Sequence, residues 1–302
     1  MFPLRRRALA AVLAAALAAC GGDAPDDAPP AVGVQAVDAD GRTVALPRPA
    51  RRVISMVPSA TDLLVAAGAR DQLVGRTEND DAPEVAHLPS VGGMEPSLER
   101  IVSLRPDLVV VFQAAASPQL RQRIEAQGIP TFAMGTRDTA QTFAGLAALG
   151  RLAGADAGAA GLASRMRREL AAASVPAARD TPSVFLVVNL DPPMTAGPGT
   201  FMVQVARAAG ARTAFPDLRE DWATVSMEEL VRRQPEWLLV TTGAEGTREQ
   251  RIAALRAEPG WRELRAVREG RVVAVPARLL NRPGPGMGQA AAHIRRTIRP
   301  TP

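Results

Sequence analysis

Apolar residues in this chain fall into short uniform runs separated by stretches of helical period. The runs are Val53-Ile54, Leu108–Phe112, Val184–Val188, Leu238–Val240 and Val272–Val275, with shorter ones at Val74-Gly75 and Thr131-Phe132. Such a run lacks the alternation of a half-wet strand, so it predicts a strand covered on both faces, as in a parallel sheet. Helical patterns lie between the runs. One starts at Pro58 and is stopped by Gly68, another covers 118–127, a third starts at Thr200 and is stopped by Gly210, a fourth covers 248–257, and the last begins near Gly288. Strand and helix alternate along most of the chain, which predicts an α/β fold with mainly parallel sheets.

One sixteen-residue pattern occurs twice, as Ser97–Phe112 and as Ser226–Thr241. Each copy reads as a short helix capped by Ser with Glu in its first turn, a break at Pro, and an apolar strand. Two copies this far apart are too few and too widely spaced for a solenoid. They predict two similar α/β lobes, each carrying an equivalent glutamate, Glu99 or Glu228. From Thr139 to Ala173 there is no Pro, and Ala, Leu, Arg and Glu dominate. This stretch predicts one helix of about 35 residues, some 50 Å long; Gly150, Gly154, Gly158 and Gly161 leave open two helices bent near 154–156.

The 302 residues can bury one large core or two small ones. Cationic side chains are Arg apart from two His, and Tyr and Lys are absent. Of the formal charge of +5, three positive charges come from Arg5, Arg6 and Arg7. No basic, aromatic-interleaved patch suggests nucleic acid. Those arginines precede an apolar core, Ala8–Leu17, too short to span a bilayer, so residues 1–20 read as a secretion signal. It ends in Leu17-Ala18-Ala19-Cys20, which resembles the lipobox of bacterial lipoproteins, and Cys20, the sole cysteine, is then the lipidated residue. Residues 21–50, rich in Ala, Pro and Asp, read as a flexible tether ending in a small strand pair near Thr43–Leu46. The remaining boundaries expected are 51–138 for the first lobe, 139–174 for the linking helix and 175–302 for the second lobe.

Several phrases resemble the periplasmic cobalamin-binding proteins of ABC importers, a class that also includes siderophore and haem receptors. They are Arg52–Pro58, Ala67-Gly68, Val91-Gly92-Gly93, Asp191–Gly197, Trp222–Ser226 and both copies of the repeat. The resemblance spans most of residues 50–299. It implies two Rossmann-like lobes joined by a single long backbone helix, the class III periplasmic binding fold. It implies a ligand between the lobes, a monomer, and Glu99 and Glu228 docked into arginine pockets of a permease dimer served by ATPase subunits. The implied ligand is cobalamin or a related corrinoid, with metal only inside the ligand and no cofactor of the protein's own. A ferric siderophore or haem receptor is the alternative of the same class.

The resemblance also implies a ligand site on the loops after the strands: Ser59, Asn79, Asp80, Asp81, Met94, Met194, Trp222 and Arg282. Trp222 matches a cobalamin-contacting tryptophan and can cover an apolar macrocycle face. Arg282 aligns with an arginine near the ligand and suits a phosphate or carboxylate. Where cobalamin binders place aromatics, this chain has Asn79 with Glu78, Asp80 and Asp81, and Met94-Glu95, and Met194. Polar groups of this kind accept hydrogen bonds from peripheral amides but stack less on a corrin. Trp237 and Trp261 read as core. A secreted α/β enzyme is the other class considered. It lacks support from a Walker lysine, a dinucleotide fingerprint or a nucleophile elbow, and two histidines supply a metal site poorly.

Overall fold

A computed structural model describes residues 33–93, 95–113, 118–174, 180–243 and 246–299. Cys20, the signal segment and Met94 lie outside the described residues.

The described chain opens with an antiparallel hairpin, β1 (Val34–Val37) and β2 (Thr43–Leu46), which turns Ala36, Val44 and Leu46 into the core. Asp38 organises its turn by accepting the amides of Asp40 and Arg42, at 3.0 and 2.9 Å. The other Asp38 oxygen is buried. It accepts from Arg121 at 2.8 Å and from the Ala133 amide at 3.3 Å. Residues 34–50 are therefore part of the first lobe rather than of the tether expected up to residue 50.

The first lobe continues with β3 (Val53–Ser55), α1 (Pro58–Ala66), β4 (Leu73–Gly75), α2 (Leu98–Ser103), β5 (Leu108–Phe112), α3 (Pro118–Glu125) and β6 (Thr131–Met134). Its sheet has the order β4-β3-β5-β6, all parallel. Two helices follow, α4 (Thr139–Leu152) and α5 (Asp156–Ala173).

The second lobe comprises β7 (Ser183–Val187), β8 (Met194–Ala196), α6 (Phe201–Ala208), β9 (Arg212–Thr213), β10 (Trp222–Thr224), α7 (Met227–Arg233), β11 (Trp237–Thr242), α8 (Arg248–Ala257), α9 (Arg265–Arg268), β12 (Val272–Pro276), α10 (Ala277–Leu280) and α11 (Met287–Ile298). Its parallel sheet runs β12-β11-β7-β9, and β8 pairs with β10 as a separate antiparallel ribbon.

The 139–173 stretch is thus two helices, not the single long one expected. Gly154 sits at φ +69°, a left-handed conformation that ends α4, and the Ala155 amide closes the turn on the Gly150 carbonyl at 2.7 Å. α5 alone is about 27 Å long. It lies against α1 of the first lobe and α6 and α11 of the second, and Gly158 approaches the Ala67 carbonyl too closely for any side chain.

Both copies of the repeat fold alike. Ser97 and Ser226 accept the amides of Arg100 and Glu229, capping α2 and α7. Arg105 and Gln234, each the residue before the proline, adopt φ of 46° and 44°. The acid after the proline then reaches the start of the neighbouring strand. Asp107 accepts the amides of Arg51 and Arg52, and Glu236 accepts that of Ser183.

Alternating strand residues serve two different cores. Leu108 and Val110 of β5, with Val184 and Leu186 of β7, join one cluster that runs through α4, α5 and α11 into both lobes. Val109 and Val111 face a cluster confined to the first lobe, while Phe185, Leu238 and Val240 face one confined to the second. No helix among the described residues is long and apolar enough to cross a membrane.

Candidate functional site

The carboxyl ends of the two parallel sheets face each other, where ligands of such sheets bind. Two polar links join the lobes there. Past β6, Arg137 donates to both oxygens of Asp221 at 2.9 Å, its carbonyl accepts the Phe201 amide at 2.7 Å, and Thr139 is held by Gln204. Past β4 and β12, Arg282 donates to Asp81 at 2.7 Å and lies 3.6 Å from Asp62 of α1. Beside that second link is an interlobe groove of about 1040 Å³, lined among others by Asp62, Asp81, Glu84, Thr242, Arg278 and Leu279.

Phe112 ends β5, Val188 follows β7, and Trp222 begins β10. All three are large apolar side chains left more than two-fifths exposed. Val37 and Val102 are the other large apolar side chains exposed among the described residues, and both lie away from the carboxyl ends of the two parallel sheets.

The expected site residues divide. Asp81 lines the groove, Trp222 is exposed at the edge of the β8–β10 ribbon, and Met194 is half-buried on the same ribbon. Asn79 is exposed in the loop after β4. Asp80 is not a surface acceptor. It is buried, and one oxygen holds both the amide and the hydroxyl of Thr77 at 2.7 Å, closing the turn that presents Asn79 and Asp81. Ser59 is buried in the first turn of α1 and offers nothing to the groove surface. Arg282 is engaged with two aspartates of the opposite lobe rather than free for an anionic ligand. Trp261 is core, as expected, edge-on to Phe185 and donating to the Leu190 carbonyl.

Sequence reading missed Asp62. It is an acid on a helix whose other inward residues are Ser59, Ala60, Thr61, Leu63 and Leu64. Burial pushes its carboxyl up to about 6; Arg282 opposes the rise, and Asp81, Asp80 and Glu84 add to it. An acid inside an otherwise apolar helical pattern was the available signal.

Glu99 and Glu228 lie in the first turns of α2 and α7, exposed and without a side-chain partner among the described residues. Glu229 differs. Three residues after Ser226 it has capping-box spacing, but its carboxylate turns to Arg232 and Arg233, which hold it below the ordinary glutamate range. Of the histidines, His293 faces the Ala274 carbonyl at 2.9 Å and His87 is exposed in a loop. No cluster of three metal-ligating acidic, His or Cys side chains occurs among the described residues.

Comparison with known proteins agrees with this geometry. The family model for periplasmic binding proteins matches residues 53–279. The chain is 28% identical over 272 residues to the uncharacterized ABC transporter substrate-binding lipoprotein YvrC of Bacillus subtilis, covering 87% of this chain and 84% of that one. It is 31% identical over 197 residues to the vitamin B12-binding protein of Yersinia pestis, covering 64% of this chain and 70% of that one. A periplasmic heme-binding protein from Pseudomonas aeruginosa superposes with a TM-score of 0.70 at 26% identity, over 83% of this chain and 94% of that structure. Two parallel-sheet lobes with a groove between their strand ends accord with the matched family model and relatives; the chain belongs to the periplasmic binding protein family, the substrate-binding proteins of ABC importers.

Proposed function

We propose that the cargo is a cobalamin or related corrinoid. The observation that carries this reading is the charge of the groove lining. Three carboxylates, Asp62, Asp81 and Glu84, line it against two arginines, Arg278 in its wall and Arg282 beside it on Asp81 and Asp62, so carboxylates remain in excess. Carboxylates accept hydrogen bonds from the peripheral amides of a corrin and repel the carboxylates of haem and of acidic siderophores. Phe112, Val188 and Trp222 then offer apolar cover to the macrocycle. The vitamin B12-binding relative supports the same choice. Under this reading the metal arrives coordinated within the cargo, Cys20 carries a lipid anchor, and Glu99 and Glu228 meet the permease.

The test is tryptophan fluorescence of the full-length protein titrated with cyanocobalamin, haem and a ferric siderophore. Saturable quenching by cyanocobalamin at stoichiometric ratio is the expected result. Trp222→Ala should weaken it by about 2 kcal/mol, the scale of a stacking anchor. Tighter binding of haem than of cyanocobalamin would overturn the reading.

A further inference from the structure

Arginines at the ligand-facing strand ends are mostly spoken for. Arg76 donates to the carbonyls of Thr77, Asp80 and Ala86, Arg137 is paired with Asp221, and Arg282 with Asp81. Arg278 faces the three carboxylates of the groove. Arg251, on the first turns of α8, is different. It has no ion pair or side-chain hydrogen bond among the described residues. It lines a second cavity, of about 270 Å³, at the carboxyl ends of β7 and β11.

Val188, one of the exposed apolar side chains at the strand ends, lines that cavity. Its lining includes Asn189, Thr241, Ala254 and Leu255, and no carboxylate among the described residues. Asn189 already spends its amide nitrogen on the carbonyls of Asp191 and Pro192, at 2.8 and 3.1 Å. The remaining side-chain donors are the Thr241 hydroxyl and the guanidinium. The two cavities flank the end of β11, Thr241 lining one and Thr242 the other, and they carry opposite charge. A cargo with amides over most of its rim and one anionic arm would place that arm at Arg251, away from Asp62, Asp81 and Glu84.

We propose that the Arg251 cavity is a subsite for a phosphodiester-class substituent of the cargo. The inference rests on the corrinoid reading and narrows it. Cobalamin carries a phosphodiester in its nucleotide loop, whereas cobinamide has the same ring and ends before the phosphate. A guanidinium that meets a phosphate in its planar fork distinguishes the two by charge and geometry.

The experiment is calorimetric titration of the full-length protein with cyanocobalamin and with dicyanocobinamide, at low and high salt. Wild-type protein should prefer cyanocobalamin by about tenfold at low salt, and less at high salt. Arg251→Gln should abolish that preference while leaving cobinamide affinity within about twofold. Arg251→Lys should retain part of it. An unchanged preference in Arg251→Gln, or equal weakening of both ligands, would overturn the subsite while leaving the corrinoid reading intact. If the wild type binds neither corrinoid, that reading fails and the subsite with it.

Discussion

At the scale of single residues, burial decides what a carboxylate does in this protein. Asp80 and Asp81 are neighbours in sequence, yet one is a buried turn anchor and the other an exposed partner of Arg282. Asp62, on α1, has its carboxyl pushed up to about 6, chiefly by burial. A carboxyl whose pKa is higher in the folded than in the unfolded chain binds its proton more tightly when folded. Its contribution to stability is therefore full below about pH 4 and is lost as the pH rises through about 6. The shift from 3.8 to about 6 corresponds to about 3 kcal/mol. Asp62→Asn should consequently be more stable than wild type at pH 7, by up to about 3 kcal/mol. The gain should fade toward pH 4. Urea denaturation at several pH values checks this: a variant less stable than wild type at pH 7 would mean that the pairing with Arg282 outweighs burial.

At the scale of elements, the N-terminal hairpin is tied to α3 by a charge cluster around the buried Asp38. Asp38 meets Arg121, which also pairs with Asp40 and Glu125, and Glu125 accepts from Thr131 at the start of β6. Replacing Asp38 by Ala leaves Arg121 short of its least exposed partner and the Ala133 amide without its acceptor. Breaking such a pair costs about 3 kcal/mol. Asp38→Ala should lower stability by that order in urea denaturation and raise amide exchange across β1 and β2; an unchanged midpoint would show the hairpin to be held by its apolar face alone. This hairpin also shows where the chain was legible and where it was not. The buried strands could be read because both faces of a covered sheet demand apolar residues, and the repeat could be read because one local pattern recurs. The strand pair near Thr43–Leu46 was expected, but the Pro- and Asp-rich sequence around it assigned it to the tether, because its four-residue strands alternate too briefly to reveal a face packed on the first lobe. The break at Gly154 was only an open option, because four glycines share that stretch and backbone conformation selects one. The resemblance placed Trp222 and Asp81 on loops after the strands, and there Trp222 is exposed and Asp81 lines the groove. Arg282 did not, since its partner lies 201 residues away and pairs only when two lobes close on each other. Arg251 and Asp62 escaped for the same reason: a cavity wall is assembled from separate elements, and neither local spacing nor composition records it.

At the scale of the whole molecule, one apolar core runs from the hairpin through α4 and α5 into the second lobe, so the lobes are coupled by packing as well as by covalent connection. Such a core resists wide opening, because parting the lobes would expose it to water. Recognition by a permease then cannot rest on a large change of shape and requires fixed surface features. The repeat supplies a matched pair. α2 and α7 hold equivalent places in the two lobes, each capped by a serine, and each presents an exposed glutamate with no internal partner among the described residues. Glu229 is adjacent to Glu228 but committed to Arg232 and Arg233, so it serves as a structural control for the proposed docking of Glu228. A carboxylate buried against arginine at an interface is worth about 2–5 kcal/mol on truncation, much of it the cost of leaving the arginine unpaired. The double variant Glu99→Ala and Glu228→Ala should therefore abolish uptake by cells that depend on this receptor, with ligand affinity and thermal stability unchanged. Each single variant should reduce uptake, since one lobe remains docked. Glu229→Ala should do the reverse, lowering stability slightly through its lost arginine pairs while sparing uptake. Normal uptake by the double variant, or a failure traced to lost ligand binding, would reduce the two glutamates to first-turn acids that merely complement the dipoles of their helices.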